Sequence, residues 1–177
     1  MSAAKPRLYF DANPLIDLVK VEVGVEIASD AEKDAWHTRQ IIRACQAGKI
    51  EIFTSGLTVA ECTHVSDPAQ LERAKPFFYN LLTSGKSGLT LVIPTLRIME
   101  VARNLRWIHG IGLGGADAIH VATAMQFSCD ELITSDSKLH KSVEILANLG
   151  LRVCNPSGTK HLPDDFRAPE LFPSGKV

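Results

Sequence analysis

Five short apolar runs, each cut off by a polar residue, a turn or a proline, limit what this chain can become. Leu8-Tyr9-Phe10 stops at Asp11, Ile50-Glu51-Ile52-Phe53 at Thr54-Ser55-Gly56, and the run over 89–93 at Pro94. Leu132-Ile133-Thr134 meets Ser135-Asp136, and Leu151-Arg152-Val153-Cys154 meets Asn155-Pro156. Runs this short suit strands, and the stretches between them carry helical spacing. Helices are expected over 30–47, 57–65, 68–83, 95–109, 115–127 and 137–149, with another opened by Asn13-Pro14. Asn13 reads as a cap and Pro14 as the first helical residue, while Gly48 and Gly150 close two of the helices. The helix at 115–127 is apolar almost all round and so is expected to be central. Strands alternating with helices imply a three-layer α/β domain around a mostly parallel sheet of about five strands.

With 177 residues, 45% of them apolar, the chain suffices for one domain with a substantial core. That domain is expected over 1–155, followed by an irregular tail over 156–177 that holds four of the nine prolines. Net charge is −1 and the pI about 6.6, which excludes gripping nucleic acid mainly through a strongly basic surface. No run approaches the roughly 18 apolar residues of a membrane span, and the N-terminus lacks a signal-peptide pattern. A cytoplasmic protein without a membrane partner is the expectation. Cys45, Cys62, Cys129 and Cys154 are widely spaced without a C-x-x-C, so they read as small buried apolar residues rather than zinc ligands.

Gly110, Gly112 and Gly115 match the dinucleotide-binding glycine pattern letter for letter. That pattern needs a strand before it, so that a pyrophosphate meets the following helix N-terminus. Here an amphipathic helix precedes it, and a helix-to-helix turn is the better reading.

Four acids stand at comparable places. Asp11 and Asp136 follow strands, Asp117 lies in the first turn of the central helix, and Glu61 lies in the helix after the second strand. Ligands of open α/β sheets bind outside the carboxyl ends of the strands. Carboxylates converging there without matching Lys or Arg call for a hard divalent cation, Mg²⁺ or Mn²⁺. Such an ion activates water and steadies a phosphodiester oxyanion. Each acid alone has a plainer account: helix capping for Asp11 or Asp136, the helix dipole for Asp117, and for Glu61 a solvated position paired with His64. The conjunction is stronger, because Asn13 as the cap would leave Asp11 free.

The stretches YFDANPLIDLV, LTVAEC, GGADAIHVATA and LITSDSKLH resemble, in order, the four signature segments of the PIN-domain nucleases, over about residues 7–154. The resemblance implies a PIN-like fold and a metal-dependent endoribonuclease that cuts single-stranded RNA. By position, Asp11, Glu61, Asp117 and Asp136 match the family's acidic quartet. Asn13 matches the small polar position after the first acid, and Thr134 the hydroxyl residue before the last. Many bacterial members, the VapC-like ribonucleases, are toxins of type II toxin–antitoxin pairs. An antitoxin partner and a homodimer are therefore implied, and cleavage by a metal-activated water predicts 5′-phosphate and 3′-hydroxyl ends.

Candidate substrate contacts are Arg103 and Arg106 before the glycine turn, Lys138 after Asp136, and His120. Arg97 and Lys141 neighbour them. His120 shares a helix face with Asp117 and has the plainer role of a satisfied core histidine. Trp107 and Phe127 are expected to be buried rather than to stack on bases. A haloacid-dehalogenase-type phosphatase would need a second Asp where Asn13 stands, so that reading is set aside. A non-catalytic RNA- or protein-binding module remains the alternative. Setting the four acids aside leaves the rest of the chain at +3, which suits an RNA substrate held at a metal-filled pocket with a modest basic rim.

Overall fold

A computed structural model describes residues 4–62 and 67–167. Strand β1 is Arg7–Phe10, β2 Glu51–Ser55, β3 Thr90–Val92, β4 Glu131–Ile133 and β5 Arg152–Cys154. They form one sheet in the order β3-β2-β1-β4-β5, and every pairing is parallel. The helices are α1 (Ala12–Glu22), α2 (Ser29–Gln46), α3 (Gly56–Glu61), α4 (Pro68–Phe78), α5 (Leu96–Trp107), α6 (Gly115–Gln126), α7 (Ser137–His140) and α8 (Val143–Asn148).

Strand alternation sorts the core into two layers. Leu8, Phe10, Ile52 and Ile133 point to the side covered by α1, α2 and α4. Tyr9, Phe53, Leu132 and Val153 point to the side covered by α5, α6 and α8. The arrangement is the three-layer α/β sandwich that the run pattern implies. Among the described residues, no helix is long and apolar enough to cross a membrane.

Three local expectations are corrected, and a fourth falls partly outside the described residues. Asp11, not Asn13, caps α1: its carboxylate accepts from the Ala12 amide, and Asn13 is an exposed residue inside the helix. The helix expected over 68–83 ends regularly at Phe78 and continues as a wide turn over Tyr79–Thr83, just after Pro76. Proline has no amide hydrogen for the helical ladder, which weakens that stretch. The helix expected over 137–149 is two, because the Ser142 amide bonds Leu139 three residues back and closes α7 early. The helix expected over 57–65 is described only as far as Glu61, and His64 lies outside the described residues.

The glycine stretch joins α5 to α6, and Gly110 adopts φ +68° at the exit from α5. Cys62, Cys129 and Cys154 are buried, and burial pushes each thiol up to about 12; Cys45 is half-buried. Residues 156–167 are seated on the body. Asp34 of α2 accepts from the Ser157 amide at 3.0 Å and from Asn155 at 3.2 Å, and Leu162 is buried in the α1–α2 layer. Residues 168–177 lie outside the described part.

Candidate metal centre

The chain builds outward from β1 through β2 to β3, then returns to place β4 on the other side of β1. This reversal opens a crevice at the carboxyl ends of β1 and β4, where ligands of such sheets bind. Asp11 and Thr134 are the first residues beyond those two strands. The Asp11 amide bonds the Ile133 carbonyl at 3.1 Å, and the Thr134 hydroxyl donates to Asp11 Oδ2 at 2.8 Å. The other oxygen, Oδ1, accepts from the Ala12 amide at 2.8 Å. Thr134 also accepts from the Asp136 amide at 3.0 Å, so one hydroxyl ties together the two strand ends.

Glu61 is carried by α3, which is pinned to the sheet. Ser55 caps the helix by accepting from the Leu57 amide. The Thr54 hydroxyl donates to the Phe10 carbonyl and lies 2.8 Å from the Thr58 hydroxyl. His120 comes from the second turn of α6, with its side chain 1% exposed. Its Nε2 lies 2.8 Å from Glu61 Oε2 and 3.7 Å from Asp11 Oδ1, and its Nδ1 lies 2.8 Å from the Tyr9 hydroxyl. Asp11, Glu61 and His120 each present one ligand atom within 4.8 Å of the others, which makes them the group among the described residues that could hold a metal ion.

The electrostatics match that geometry. Burial pushes the Asp11 carboxyl above its ordinary range, and the Glu61 charge adds to the push. His120, the Thr134 hydroxyl and the Ala12 amide pull it back. Burial works against a charged His120, but the bond from Glu61 and the charges of Asp11, Glu61 and Asp117 outweigh it, and the imidazole is raised. Burial, followed by the Asp11 charge, raises the Tyr9 phenol. No lysine or arginine is among the groups acting on Asp11 or His120. A buried carboxylate beside a second carboxylate and an imidazole is a donor set that fits a divalent cation.

The structure thus brings two of the four expected acids together with a histidine. Asp117 stands in the first turn of α6 and its charge reaches His120, but it is outside the three-residue group. Asp136 caps α7, accepting from the Lys138 amide at 2.7 Å, and is also outside the group. His120 is buried, and both of its ring nitrogens have hydrogen-bond partners. Arg103 lies over the Trp107 ring, 4.6 Å from its centroid, and Arg106 and Lys138 are exposed. Trp107 is 71% exposed, against the expected burial, whereas Phe127 packs against Phe53. Tyr9 was not among the expected residues. Its signal was its place between Leu8 and Phe10, which turns a phenol into the opposite layer, where it needs a polar partner.

A parallel sheet with an acidic crevice at its switch point defines the class, and comparison defines the family. The PIN domain profile matches residues 8–144. The chain belongs to the PIN domain family. Three solved structures share the fold. A toxin–antitoxin complex from Klebsiella pneumoniae superposes with a TM-score of 0.51 at 22% identity, covering 84% of this chain and 97% of that one. FitAcB from Neisseria gonorrhoeae gives 0.53 at 17%, covering 86% and 99%. VapBC2 from Rickettsia felis, bound to a DNA fragment from their promoter, gives 0.54 at 13%, covering 84% and 98%. No curated protein matches the chain.

Proposed function

We propose that this chain is a Mg²⁺- or Mn²⁺-dependent endoribonuclease of single-stranded RNA, working as a homodimeric toxin held by an antitoxin. The observation that carries the chemistry is the convergence of ligand atoms of Asp11, Glu61 and His120, all within 4.8 Å of one another, at the switch point. Asp11 and Glu61 supply hard oxygen donors and would hold the ion, with Asp117 and Asp136 acting directly or through water. A bound divalent ion supplies an activated water and charge stabilisation at phosphorus.

The chain's own residues do the rest. Thr134 and the Ala12 amide fix both Asp11 oxygens. His120 holds Glu61 toward Asp11, and Tyr9 holds the His120 ring. Between α5 and α6 lies a cavity of about 330 Å³ lined by Arg106, Gly115 and Ala118. Arg106 there, and Lys138 beside Asp136, would contact RNA phosphates, and Asn13 is exposed beside Asp11. The family and the toxin–antitoxin context of the fold neighbours support the partner reading.

The test incubates labelled single-stranded RNA with the protein in Mn²⁺, in Mg²⁺ and in EDTA, alongside Asp11→Asn. Cleavage that needs the ion and Asp11, leaving 5′-phosphates, is the expected result. Identical behaviour of wild type and variant, or indifference to EDTA, overturns it.

A further inference from the structure

Glu61, one of the two carboxylates of the centre, rides on a helix that the core hardly holds. Strand β2 leads directly into α3, which has six residues, and Thr58 is the one buried residue among them. Val59 on the same helix is 41% exposed. A helix this short does not hold its shape by itself, and little apolar surface anchors this one. Its carboxylate must nevertheless stay beside Asp11, although the two charges repel.

What holds it is a polar contact inside the core. Thr54 on β2 and Thr58 on α3 are both 0% exposed, and their hydroxyls lie 2.8 Å apart. Thr54 has a single hydroxyl proton, and it goes to the Phe10 carbonyl at 2.8 Å, an oxygen that can only accept. The bond between the two hydroxyls is therefore donated by Thr58. These bonds run one way, from Thr58 through Thr54 to the peptide that joins Phe10 to Asp11. The amide of that same peptide donates to the Ile133 carbonyl at 3.1 Å, so the peptide is fixed on both sides. At the other end, Thr58 and Glu61 stand one turn apart on one face of α3. Two carboxylates that share an ion must keep their oxygens within about twice the 2.0–2.6 Å ligand distance, which leaves little room for a loose helix.

We propose that the Thr54–Thr58 hydroxyl pair is the clamp that sets the separation of Asp11 and Glu61, which makes both threonines positioning residues for the divalent ion. They act on the ion through the two carboxylates: Thr54 through the backbone that carries Asp11, Thr58 through the helix that carries Glu61. Buried away from water, the bonds have no solvent competitor and hold one geometry. The clamp rests on the reading of the crevice as a metal centre.

Calorimetric titration of the full chain with Mn²⁺ tests it. The variants are Thr58→Val, of the same shape without the hydroxyl, Thr58→Ser, which keeps the hydroxyl, Thr54→Val, and the double valine variant. Thr58→Val should weaken Mn²⁺ binding by about 10-fold, the lower end for groups behind a metal ligand, while Thr58→Ser should stay within about twofold of wild type. Because the same bonds pass through both residues, the double variant should bind no more weakly than the weaker of its two parents. Arg152→Ala, which breaks the pair with Glu131 at the amino ends of β4 and β5, is the control for destabilisation as such. Its Mn²⁺ affinity should not move. An equal loss in Thr58→Ser, losses that multiply in the double variant, or a loss in Arg152→Ala as large as that in Thr58→Val overturns the clamp. A wild type that takes up no Mn²⁺ brings down the metal-centre reading itself, whereas Mn²⁺ binding that Thr58→Val leaves unchanged brings down the clamp alone.

Discussion

Asp11 and Glu131 are buried carboxylates on neighbouring strands, and the protein treats them in opposite ways. Glu131, at the amino end of β4, is 1% exposed and saturated: Arg152 pairs with it, the Thr159 hydroxyl donates to it, and the Lys160 amide donates at 3.2 Å. A full positive charge offsets its negative one. Asp11, just past the carboxyl end of β1, is 6% exposed and receives one amide and one hydroxyl, and its nearest charged neighbours include a second carboxylate. The first acid holds the chain together, strapping residues 159–160 to the sheet. The second has the titratable His120 ring 3.7 Å away where Glu131 has a permanently charged guanidinium. Burial alone does not mark a site; burial without compensation does.

The contrast is broken most directly at Asp11. Asp11→Asn keeps an oxygen for the Ala12 amide and removes the repulsion with Glu61. Folding stability, followed by urea unfolding, should therefore stay within about 1 kcal/mol of wild type or rise. Metal-dependent cleavage should fall by on the order of 10³-fold, because an ion's several kcal/mol of charge stabilisation depends on this carboxylate. A variant that loses both activity and stability would make Asp11 as structural as Glu131.

Arg152→Ala should behave in the reverse sense. It leaves Glu131 buried against only a hydroxyl and an amide, which should cost about 3 kcal/mol of stability, a little under a fully enclosed pair because Arg152 is itself partly exposed. Protease cleavage after residue 155 should become faster as the strap loosens. Metal affinity of the molecules that remain folded should not change. Stability preserved in this variant would show that the pair contributes little and that the two acids differ less than their partners imply.

A smaller effect separates holding a ligand from being one. Tyr9→Phe removes a single oxygen from a buried layer and leaves His120 Nδ1 without its partner. Groups one step behind a metal ligand typically change affinity by about 10- to 100-fold, and Tyr9 stands one step further back, behind the His120 that holds Glu61. Calorimetric titration with Mn²⁺ should show a loss near the lower end of that range, with unchanged affinity for RNA. Unchanged Mn²⁺ affinity would mean that the Tyr9–His120 bond only fills the core.

How far this was legible in the residues differs between the same two regions. Asp11 and Thr134 were legible because each ends an apolar run, and the ends of parallel strands meet in one crevice whatever the loops do. The layers were legible for the same reason: alternation along Leu8-Tyr9-Phe10 needs no partner to be known. The bonds from His120 to Tyr9 and Glu61 join residues 111 and 59 positions apart, and no local pattern encodes such a pairing. The strap over 156–160 was hidden likewise, since proline content shows an irregular path but not that Glu131 and Asp34 hold it down. On α5 the helix before the glycine turn was legible as amphipathic, and its buried side carries Ile98, Ala102 and Leu105. Spacing cannot reveal that Leu96 and Trp107 are left exposed among the described residues.

The finest test concerns the cap of α1, where the residues on either side of Ala12 exchange their expected roles. If Asn13 capped the helix, Asn13→Ala would cost about 1 kcal/mol, the usual penalty for losing an N-cap oxygen. The structure gives the cap to Asp11 and leaves Asn13 exposed in the first turn, a position where alanine is the better helix former. Stability of Asn13→Ala by urea unfolding should therefore stay within about 0.5 kcal/mol of wild type. The same carboxylate that caps α1 is then the one offered to the ion, and capping is part of how it is held: the Ala12 amide fixes Oδ1 while Thr134 fixes Oδ2. A cap-sized loss in Asn13→Ala would return the cap to Asn13 and free one Asp11 oxygen, and the centre would be less rigid than the structure makes it. With stability unchanged, any change in cleavage by this variant belongs to the reaction and not to the fold, which isolates what an exposed amide beside Asp11 does for the substrate.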